Sequence, residues 1–253
     1  MFSHAIVRRP CKAILEGITE AEMGLPNYAL ACEQHQGYIT ALKACGLQVT
    51  VLPPLERYPD SCFVEDVALM TSKCAILTSP GAPSRRGEVQ HIAEAVKQFH
   101  PKLEHINLPG TVEAGDIMMV GDHFYIGLSA RTNVQGAEQL INILGKYNLA
   151  GSMVEMSELL HLKTGLSYLE NNNLLTFGEM HSNPIFNQFK RIEIAKQESY
   201  AANSVWINGT ILVPKGFPDA LKAIQQLGYP TIELSMSEFQ KLDGGLSCLS
   251  LRF

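Results

Sequence analysis

One local pattern recurs along the chain: two short apolar strands joined by a tight turn, then a helical stretch and a third short strand. Asn208-Gly209 is the clearest of these turns, because this dipeptide suits the positive φ angles of a two-residue hairpin. The turn centres near residues 72, 122, 172 and 208 are about 50, 50 and 36 residues apart. This spacing predicts an α/β protein with about five ββαβ-type modules.

The predicted hairpins pair Phe63–Met70 with Ala75–Ser79, Asp116–Val120 with Phe124–Leu128, Leu166–Leu169 with Leu174–Phe177, and Val205–Ile207 with Thr210–Val213. Apolar residues at helical spacing predict helices over Tyr28–Ala44, Glu88–Phe99, Val134–Leu144 and Ala220–Leu227. The strands expected after them are Val49–Leu52, Leu103–Leu108, Ser152–Met156 and Thr231–Leu234. The terminal strands Ala5–Val7 and Leu246–Leu251 would complete one more module. A single open α/β sheet is the alternative, but no G-x-G-x-x-G or Walker A motif supports a nucleotide-binding version of it.

The composition is that of a chain with a large interior and with few positive charges that could bind a polyanion. Hydrophobic residues make up 46% of the 253 residues and charged residues 18%, and the formal net charge is -5. Basic runs do not extend beyond Arg8-Arg9 and Arg85-Arg86, so neither nucleic acid nor a membrane surface is an expected partner. No apolar run approaches the roughly 18–20 residues that span a bilayer, and no export signal is recognisable. A cytoplasmic location is therefore expected.

Cys248 differs from the other five cysteines. The six are spread without any C-x-x-C pair, which favours free thiols over disulfides. Cys248 follows Gly244-Gly245, which allow a sharp turn and a close backbone approach, so its thiol can face a cavity as a nucleophile. A small buried hydrophobe is the alternative. A thiolate needs a base or a cation nearby, and His161, at the entrance of a predicted hairpin, is the candidate. For His161 the alternative is a hydrogen-bonded core residue.

Several acidic residues interrupt apolar segments. Asp60, Glu65 and Asp66 surround the start of one predicted strand, and Glu113 and Asp116 stand where the next hairpin begins. A buried carboxylate is costly unless it is paired. Such acids suit a cationic ligand, and a guanidinium binds a carboxylate through two hydrogen bonds. A structural role in turns or arginine pairs is the alternative.

The spacing of four of these residues follows the module period. Asp66, Glu113, His161 and Cys248 are about 47, 48 and 87 residues apart, and each falls at the matching end of a successive module. A pseudo-symmetric ring of modules would bring all four to one central channel, whereas an open sheet would scatter them. The spacing therefore favours a ring with a functional centre.

The motifs taken together resemble a known family. They are Phe63-Val64-Glu65-Asp66, Glu113-Ala114-Gly115-Asp116, Gly127-Leu128-Ser129-x-Arg131-Thr132-Asn133, His161-Leu162-Lys163 and Asp243-Gly244-Gly245-x-Ser247-Cys248. In this order they are similar to the dimethylarginine dimethylaminohydrolases, which belong to the pentein superfamily of guanidine-modifying enzymes. The resemblance implies a five-bladed, pseudo-symmetric α/β propeller of ββαβ-type modules around a central channel. It also implies a single catalytic domain over residues 1–253.

The resemblance implies a role for each matching residue. Cys248 would be the nucleophile, His161 the general acid and base, and Glu113 the carboxylate that orients the histidine. Asp66 would hold the substrate guanidinium with support from Glu65. The residues implied for the amino-acid end of the substrate are Asp60, Arg85, Arg131, Ile18, Leu242 and Asp243. Among these an arginine suits the α-carboxylate, and the backbone oxygens of Ile18 and Leu242 suit the α-amino group.

The implied reaction converts an Nω-methylated L-arginine to citrulline and dimethylamine or methylamine. It passes through a covalent thiouronium on Cys248 and needs neither a metal nor an organic cofactor. The alternatives are an arginine or agmatine deiminase of the same fold, and a ring that binds a ligand without catalysis. A third alternative is a zinc ion bound by Cys248 and His161, which we interpret as an inhibitor rather than as a working cofactor. A homodimer is one expectation for a small propeller with exposed edges.

The tripeptide His161-Leu162-Lys163 departs from a related pattern. Arginine deiminases and amidinotransferases typically have His-x-Asp at this point, and that aspartate binds the other guanidine nitrogens. A dimethylated nitrogen has no N–H, so a buried acid facing it would be left unpaired. The missing acid therefore favours a methylated arginine over free arginine.

Overall fold

The computed structural model describes all 253 residues, Met1–Phe253. Its strands are β1 (His4–Arg8), β2 (Gln48–Leu52), β3 (Ala68–Met70), β4 (Ala75–Leu77), β5 (Leu103–His105), β6 (Ile117–Val120), β7 (His123–Leu128), β8 (Ala150–Glu155), β9 (Leu166–Tyr168), β10 (Asn173–Thr176), β11 (Lys190–Glu193), β12 (Val205–Ile207), β13 (Thr210–Pro214), β14 (Thr231–Leu234) and β15 (Leu251–Arg252). Its α-helices are α1 (Tyr28–Ala44), α2 (Val89–Lys97), α3 (Val134–Lys146), α4 (Glu179–Ser182), α5 (Pro218–Gln226) and α6 (Ser237–Gln240). The 3₁₀ helices that concern the site are Val64–Val67, Pro83–Glu88, Ala114–Asp116, Leu162–Thr164 and Ser247–Leu249.

The strands form five three-stranded sheets with one common pattern. In each sheet the middle strand pairs antiparallel with one neighbour and parallel with the other. The strand orders are β3-β4-β5, β6-β7-β8, β9-β10-β11, β12-β13-β14 and β15-β1-β2. The predicted repeat of a hairpin, a helical connection and a parallel strand is confirmed, and the alternative of one open sheet is wrong. The two chain ends share the last of these sheets, as predicted.

The turns are formed by residues that tolerate a positive φ. Asn208 and Gly209 have φ angles of 50° and 92° between β12 and β13, as expected for Asn-Gly. The Asn208 side chain also binds the N-terminal strand region, because its Oδ1 accepts a hydrogen bond from the Phe2 N–H at 2.8 Å. The hairpin turn therefore anchors the neighbouring sheet as well as its own.

Two predicted strands begin differently from what their apolar sequences indicate. Residues 64–67 form a 3₁₀ helix, so the predicted strand Phe63–Met70 is reduced to β3. The predicted strand Leu246–Leu251 is mostly the 3₁₀ helix Ser247–Leu249, followed by the two residues of β15. Both turns carry predicted site residues, Glu65 and Asp66 in the first and Cys248 in the second.

The chain divides into two compact units. The first comprises Met1–Val64 and Ile194–Phe253, and the second comprises Glu65–Glu193. The first unit holds the sheets β15-β1-β2 and β12-β13-β14, and its core includes Tyr38, Leu42 and Phe239. The second unit holds the other three sheets. The expectation of a single domain over residues 1–253 stays a prediction.

The second unit contains two apolar cores. One lies around Ile126, Leu140 and Leu144, where α3 packs on β7 and β8. The other includes Leu174, Met180 and Phe186, in the module where a short α4 and a 3₁₀ turn replace a long helix. No helix of the structure combines the length and the apolar character needed to cross a membrane.

A buried histidine in the first unit makes the stability depend on pH. His35 of α1 is 2% exposed, and its Nε2 has no hydrogen-bond partner in the protein. Burial, together with the charge of Arg9, lowers the pKa of His35 from 6.5 to about 4. Between these values the unfolded chain binds a proton that the folded chain does not bind, so the free energy of unfolding falls as the pH decreases.

We expect His35 alone to lower the free energy of unfolding by about 2 kcal/mol between pH 7 and pH 5. The variant His35→Leu should lose this part of the pH dependence, because leucine does not titrate and leaves no unpaired buried nitrogen. Urea unfolding of both proteins at the two pH values measures it. His105→Leu, at an exposed histidine of β5, is the matched control and should behave as wild type. An unchanged pH dependence in His35→Leu would contradict the expectation.

Candidate active site

A histidine–glutamate pair lies in the second unit. His161 precedes the 3₁₀ helix Leu162–Thr164, and its Nε2 lies 2.9 Å from Oε2 of Glu113. Glu113 is buried, and its Oε1 accepts the Ala82 N–H at 3.0 Å. Oε1 of Glu113 is therefore fixed by the backbone, which leaves Oε2 to orient the imidazole.

The electrostatics of this pair favour an imidazolium facing a carboxylate. Burial alone would lower the pKa of His161, but the charges of Asp116, Glu113 and Asp66 raise it to about 9. Burial alone would raise the pKa of Glu113, but His161 and Arg85 lower it to about 2. At neutral pH His161 therefore carries a proton that it can donate.

Asp66 lies beside this pair, on the 3₁₀ helix Val64–Val67. Its Oδ1 accepts the Gly115 N–H at 3.0 Å, and its backbone oxygen accepts the Thr78 hydroxyl at 2.7 Å. Carboxylate and imidazole atoms of Asp66, Glu113 and His161 come within 4.8 Å of one another. The structure thus brings together three of the four residues whose spacing followed the module period.

Gly115 is required for this close approach. A β-carbon at position 115 would lie 2.9 Å from Oδ1 of Asp66 and 3.0 Å from Cγ of His161. Because these atoms belong to the two central side chains, any larger residue would push them apart. The glycine of the Glu113-Ala114-Gly115-Asp116 motif is explained by this contact.

Arg85 is bound to carboxylates in the structure. Its Nη1 lies 2.5 Å from Oδ2 of Asp66, and its Nε and Nη2 donate to Glu88 at 3.1 and 2.9 Å. Burial disfavours the charged guanidinium, but Glu88 and Asp66 raise the pKa of Arg85 above its usual range. Asp66 therefore already binds one guanidinium, that of Arg85. Arg131, predicted for the same end of a substrate, is half-buried and makes no ion pair.

Glu65, the neighbour of Asp66, binds a different cation. Its Oε1 lies 2.6 Å from Nζ of Lys163, two residues after His161. Glu65 and Asp66 thus receive separate positive charges.

Asp116 and Glu88 are two buried acids whose roles the sequence analysis did not identify. Oδ1 of Asp116 accepts the N–H of Leu162 at 2.9 Å, and its Oδ2 accepts the Ser129 hydroxyl at 2.7 Å. Burial raises the pKa of Asp116. Its bond to Leu162 fixes the residue after His161. The position of Asp116 in the motif Glu113-Ala114-Gly115-Asp116 could have indicated its role. Arg85 and Glu88 are three residues apart, a spacing that could have indicated their ion pair.

Cys248 belongs to the first unit and is partly exposed. It lies in the 3₁₀ helix Ser247–Leu249, and its Sγ accepts the Gly245 N–H at 3.3 Å. Cys11, Cys45 and Cys74 are buried, and burial raises the pKa of each of these thiols. Cys248 and Cys32 are the two cysteines that are not buried. Partial exposure is consistent with the prediction that Cys248 is a nucleophile.

Residues that the sequence analysis missed hold the segment before Cys248. The Tyr200 hydroxyl donates to the backbone oxygen of Gly244 at 2.7 Å, and Asn203 Oδ1 accepts the Ser247 N–H at 2.9 Å. A β-carbon at Gly245 would lie 2.5 Å from Cγ of Asn203. The two glycines therefore allow a close approach of the backbone, as predicted. No sequence motif indicated that Tyr200 or Asn203 would hold this segment.

Four of the six residues predicted for the amino-acid end of a substrate form a second group in the first unit, whereas Arg85 and Arg131 belong to the second unit. Oδ1 of Asp60 accepts the Ile18 N–H at 3.0 Å, and a β-carbon at Gly17 would be 3.2 Å from Cδ2 of Leu242. Oδ2 of Asp243 accepts the Glu20 N–H at 2.7 Å and the Thr19 hydroxyl at 3.1 Å. The structure brings Asp60, Ile18, Leu242 and Asp243 close together, and their part in binding stays a prediction.

Comparison with known proteins gives a consistent set of relatives. The family model described as arginine deiminase matches residues 28–215. The chain is 57% identical over 100% of both chains to an N(G),N(G)-dimethylarginine dimethylaminohydrolase of Pseudomonas aeruginosa. It is also 32% identical to an enzyme of that name from Streptomyces coelicolor, over 98% of this chain and 96% of the relative.

The solved structures extend the likeness to the fold. A cysteine-to-serine mutant of the Pseudomonas aeruginosa dimethylarginine dimethylaminohydrolase complexed with citrulline has a TM-score of 0.99 and 56% identity, over 100% of both chains. The same values hold for a histidine-to-glycine variant of a dimethylarginine dimethylaminohydrolase as its adduct with S-methyl-L-thiocitrulline. Together with the five sheets, this likeness confirms the predicted fold class, the α/β propeller of the penteins.

Proposed function

The chain belongs to the dimethylarginine dimethylaminohydrolase family, and we propose that it hydrolyses Nω-methylated L-arginine to citrulline and dimethylamine or methylamine. The observation that carries this proposal is the cluster of two buried carboxylates, those of Asp66 and Glu113, with the half-buried imidazole of His161. It combines a carboxylate that binds a guanidinium, as the contact with Arg85 illustrates, with a histidine that holds a transferable proton.

In the proposed first half-reaction the thiolate of Cys248 attacks the guanidinium carbon. A C–S bond forms, the bond from this carbon to the methylated nitrogen breaks, and protonated His161 gives its proton to the departing amine. A thiouronium remains on Cys248. Asp66 keeps the substrate guanidinium cationic, which makes its carbon electrophilic. Glu113 keeps the imidazole oriented, through the 2.9 Å contact with Nε2.

In the second half-reaction neutral His161 removes a proton from water. The hydroxide adds to the thiouronium carbon, the C–S bond breaks with Cys248 leaving as a thiolate, and the added hydroxyl loses its proton to solvent as the carbonyl of citrulline forms. His161 regains its charge for the next cycle. The relatives support this assignment, because citrulline is bound to the cysteine-to-serine mutant of one of them. No metal or organic cofactor enters the proposed steps.

The remaining predicted residues are proposed to bind the amino-acid end of the substrate. Asp60 and the backbone oxygens of Ile18 and Leu242 suit an α-amino group, and Asp243 keeps the segment around Glu20 in place. Arg131, which has no carboxylate partner, suits the α-carboxylate. Arg85 can join it only if its guanidinium leaves Asp66.

A substrate panel tests the proposal. Purified protein is expected to release citrulline and dimethylamine from asymmetric dimethylarginine, and citrulline and methylamine from monomethylarginine. The match to the arginine deiminase family favours one alternative, in which free arginine yields citrulline and ammonia. Faster turnover of arginine than of either methylated form would support this alternative, and no turnover of any of them would contradict hydrolysis of arginine derivatives.

Two further expectations are part of the proposal. A cytoplasmic location and a homodimeric state follow from the sequence reasoning above. Cell fractionation and sedimentation of the purified chain would test them.

A further inference from the structure

We propose that Asp116 is a positioning residue for His161, because its carboxylate holds the peptide bond that follows the histidine and so keeps the imidazole where it transfers protons. This inference rests on the proposed hydrolysis of methylated arginine, in which His161 acts in both half-reactions. Asp116 acts through His161 rather than on the reacting atoms.

One short turn contacts His161 at two points. The 3₁₀ helix Ala114–Asp116 begins directly after Glu113 and ends with Asp116. Oε2 of Glu113 lies 2.9 Å from Nε2 of the imidazole, and Oδ1 of Asp116 accepts the N–H of Leu162 at 2.9 Å. The first contact orients the ring, and the second fixes the peptide that joins His161 to Leu162. The turn thus holds both the imidazole and the backbone from which it extends.

The backbone after His161 depends on this second contact. His161 is extended, with φ −135° and ψ 158°, and the 3₁₀ helix Leu162–Thr164 starts directly after it. The N–H of Leu162 stands at the start of this helix, where no carbonyl within the helix can accept it. Because Leu162 is fully buried, bulk water does not reach this N–H either. Without Asp116 a buried donor would lose its acceptor, and the backbone would shift to satisfy it.

Two hydroxyl groups orient the Asp116 carboxylate. Ser129 Oγ accepts the N–H groups of Arg131 and Thr132 at 3.0 and 3.1 Å, which leaves its single hydrogen to be donated. That hydrogen goes to Oδ2 of Asp116, at 2.7 Å. The Thr132 hydroxyl accepts the Glu113 N–H at 3.1 Å and also hydrogen-bonds the Asp116 side chain. Ser129 and Thr132, to which the proposed mechanism gives no part, therefore connect the motif over residues 127–133 to His161.

The variant Asp116→Ala tests the proposal, because it removes the acceptor of the Leu162 N–H. We expect kcat for asymmetric dimethylarginine to fall about 10- to 100-fold, since a displacement of about 1 Å in a reacting group can cost about 100-fold in rate. KM should stay within about threefold of wild type, because the residues proposed to bind the substrate are unchanged. Citrulline release over a range of substrate concentrations measures both constants.

A double-mutant cycle shows whether the loss passes through His161. In the His161→Gln background, Asp116→Ala should lower kcat by less than about threefold, because the group that Asp116 positions is already absent. A residue that only stabilises the fold would lower kcat by the same factor in both backgrounds. The cycle therefore separates a positioning role from a merely structural one.

The matched control is Glu198→Ala. Glu198 is also a buried carboxylate that accepts backbone N–H groups, those of Asp219 at 3.2 Å and Ala220 at 2.6 Å. It belongs to the first unit and is not among the residues proposed for catalysis or binding. Its loss should lower the unfolding temperature, as Asp116→Ala does, but leave kcat and KM within about threefold of wild type.

If Asp116→Ala does not fold, Asp116→Asn makes the same test. The amide fills the space of the carboxylate, but in either orientation its NH₂ group faces a donor, the Leu162 N–H or the Ser129 hydroxyl. The expected loss in kcat is at least about fivefold, and it should again be absent from the His161→Gln background.

The outcomes distinguish this inference from the proposed function. If wild type hydrolyses dimethylarginine and the folded Asp116 variant keeps the wild-type kcat, the positioning role of Asp116 is wrong and the proposed function stands. An equal loss in kcat in both backgrounds, or a change in KM alone, would overturn the positioning role as well. Wild type that turns over none of the methylated arginines overturns the proposed function, and this inference with it.

Discussion

Replacing Cys248 by serine is expected to lower the turnover of asymmetric dimethylarginine by about 1,000-fold or more. The change replaces one sulfur by one oxygen, and a serine hydroxyl without an activating base is a far weaker nucleophile than a thiolate. Serine can still accept the N–H bond that Gly245 donates to the thiol at 3.3 Å, so the local turn should persist. Citrulline release under saturating substrate measures the loss, and circular dichroism verifies the fold.

The matched control for this variant is Cys32→Ser. Cys32 is the other cysteine that is not buried, and it lies on α1. We expect the control to retain wild-type turnover and to be inactivated by iodoacetamide as wild type is. Mass spectrometry of acid-quenched wild type should show a covalent adduct that is absent from Cys248→Ser. Turnover of Cys248→Ser near the wild-type rate would refute the assignment of the nucleophile.

Replacing His161 by glutamine is expected to lower kcat by about 100- to 10,000-fold, the range for removal of a general acid and base. Glutamine can still donate a hydrogen bond to Glu113, but it cannot give a proton to the leaving amine. The partner carboxylate therefore stays satisfied, and stability should change much less than activity.

The pH profile of kcat gives a second measure of His161. Its pKa is raised from 6.5 to about 9, so the imidazole is protonated below that pH and loses its proton above it. A reaction that needs the protonated form should slow as the pH rises through about 9 in wild type, and His161→Gln should lack this decrease. His123→Gln, at a half-buried histidine of β7, is the control and should keep the wild-type profile. A wild-type decrease that persists in His161→Gln would assign the titration to another group.

Much of the module architecture was predictable because it depends on local sequence signals. Helix α1 spans the predicted residues Tyr28–Ala44, since Asn27 caps its start and Gly46, with a φ of 88°, follows its end. Strand β14 likewise has its predicted bounds. In these cases periodicity, caps and turn residues indicate the same boundaries, so the tertiary structure has little to override.

The two 3₁₀ turns show where such reasoning fails. The run Phe63–Met70 has the apolar and β-branched residues of a strand, but Glu65 and Asp66 bind cations from other parts of the chain. The turn directs their carboxylates toward those cations. Local composition does not encode this preference for a turn over a strand. The same limit applies at Leu246–Leu251, where Asn203 and Tyr200 fix a turn from 40 or more residues away.

The candidate site was predicted in part. The period of the modules indicated that Asp66, Glu113 and His161 belong together, and the structure places them within one unit. The partners of Arg85 and Lys163 were not predictable, because a long charged side chain reaches several backbone positions and its partner is chosen by packing. Neighbouring acids in sequence, Glu65 and Asp66, thus receive cations from two different turns.

The shared sheet of the two chain ends has a consequence for synthesis on the ribosome. In four of the sheets all three strands come from one stretch of the chain, so each sheet can form soon after that stretch leaves the exit tunnel. The sheet β15-β1-β2 is different, because Ala5 pairs with Arg252 and Ile6 with Leu251. Its early strands must wait with an open edge until β15 has been translated. The thiol of Cys248, three residues before Leu251, is therefore fixed in place later than the sheets around His161, and a nascent chain carries an ordered His161 before it has the proposed nucleophile.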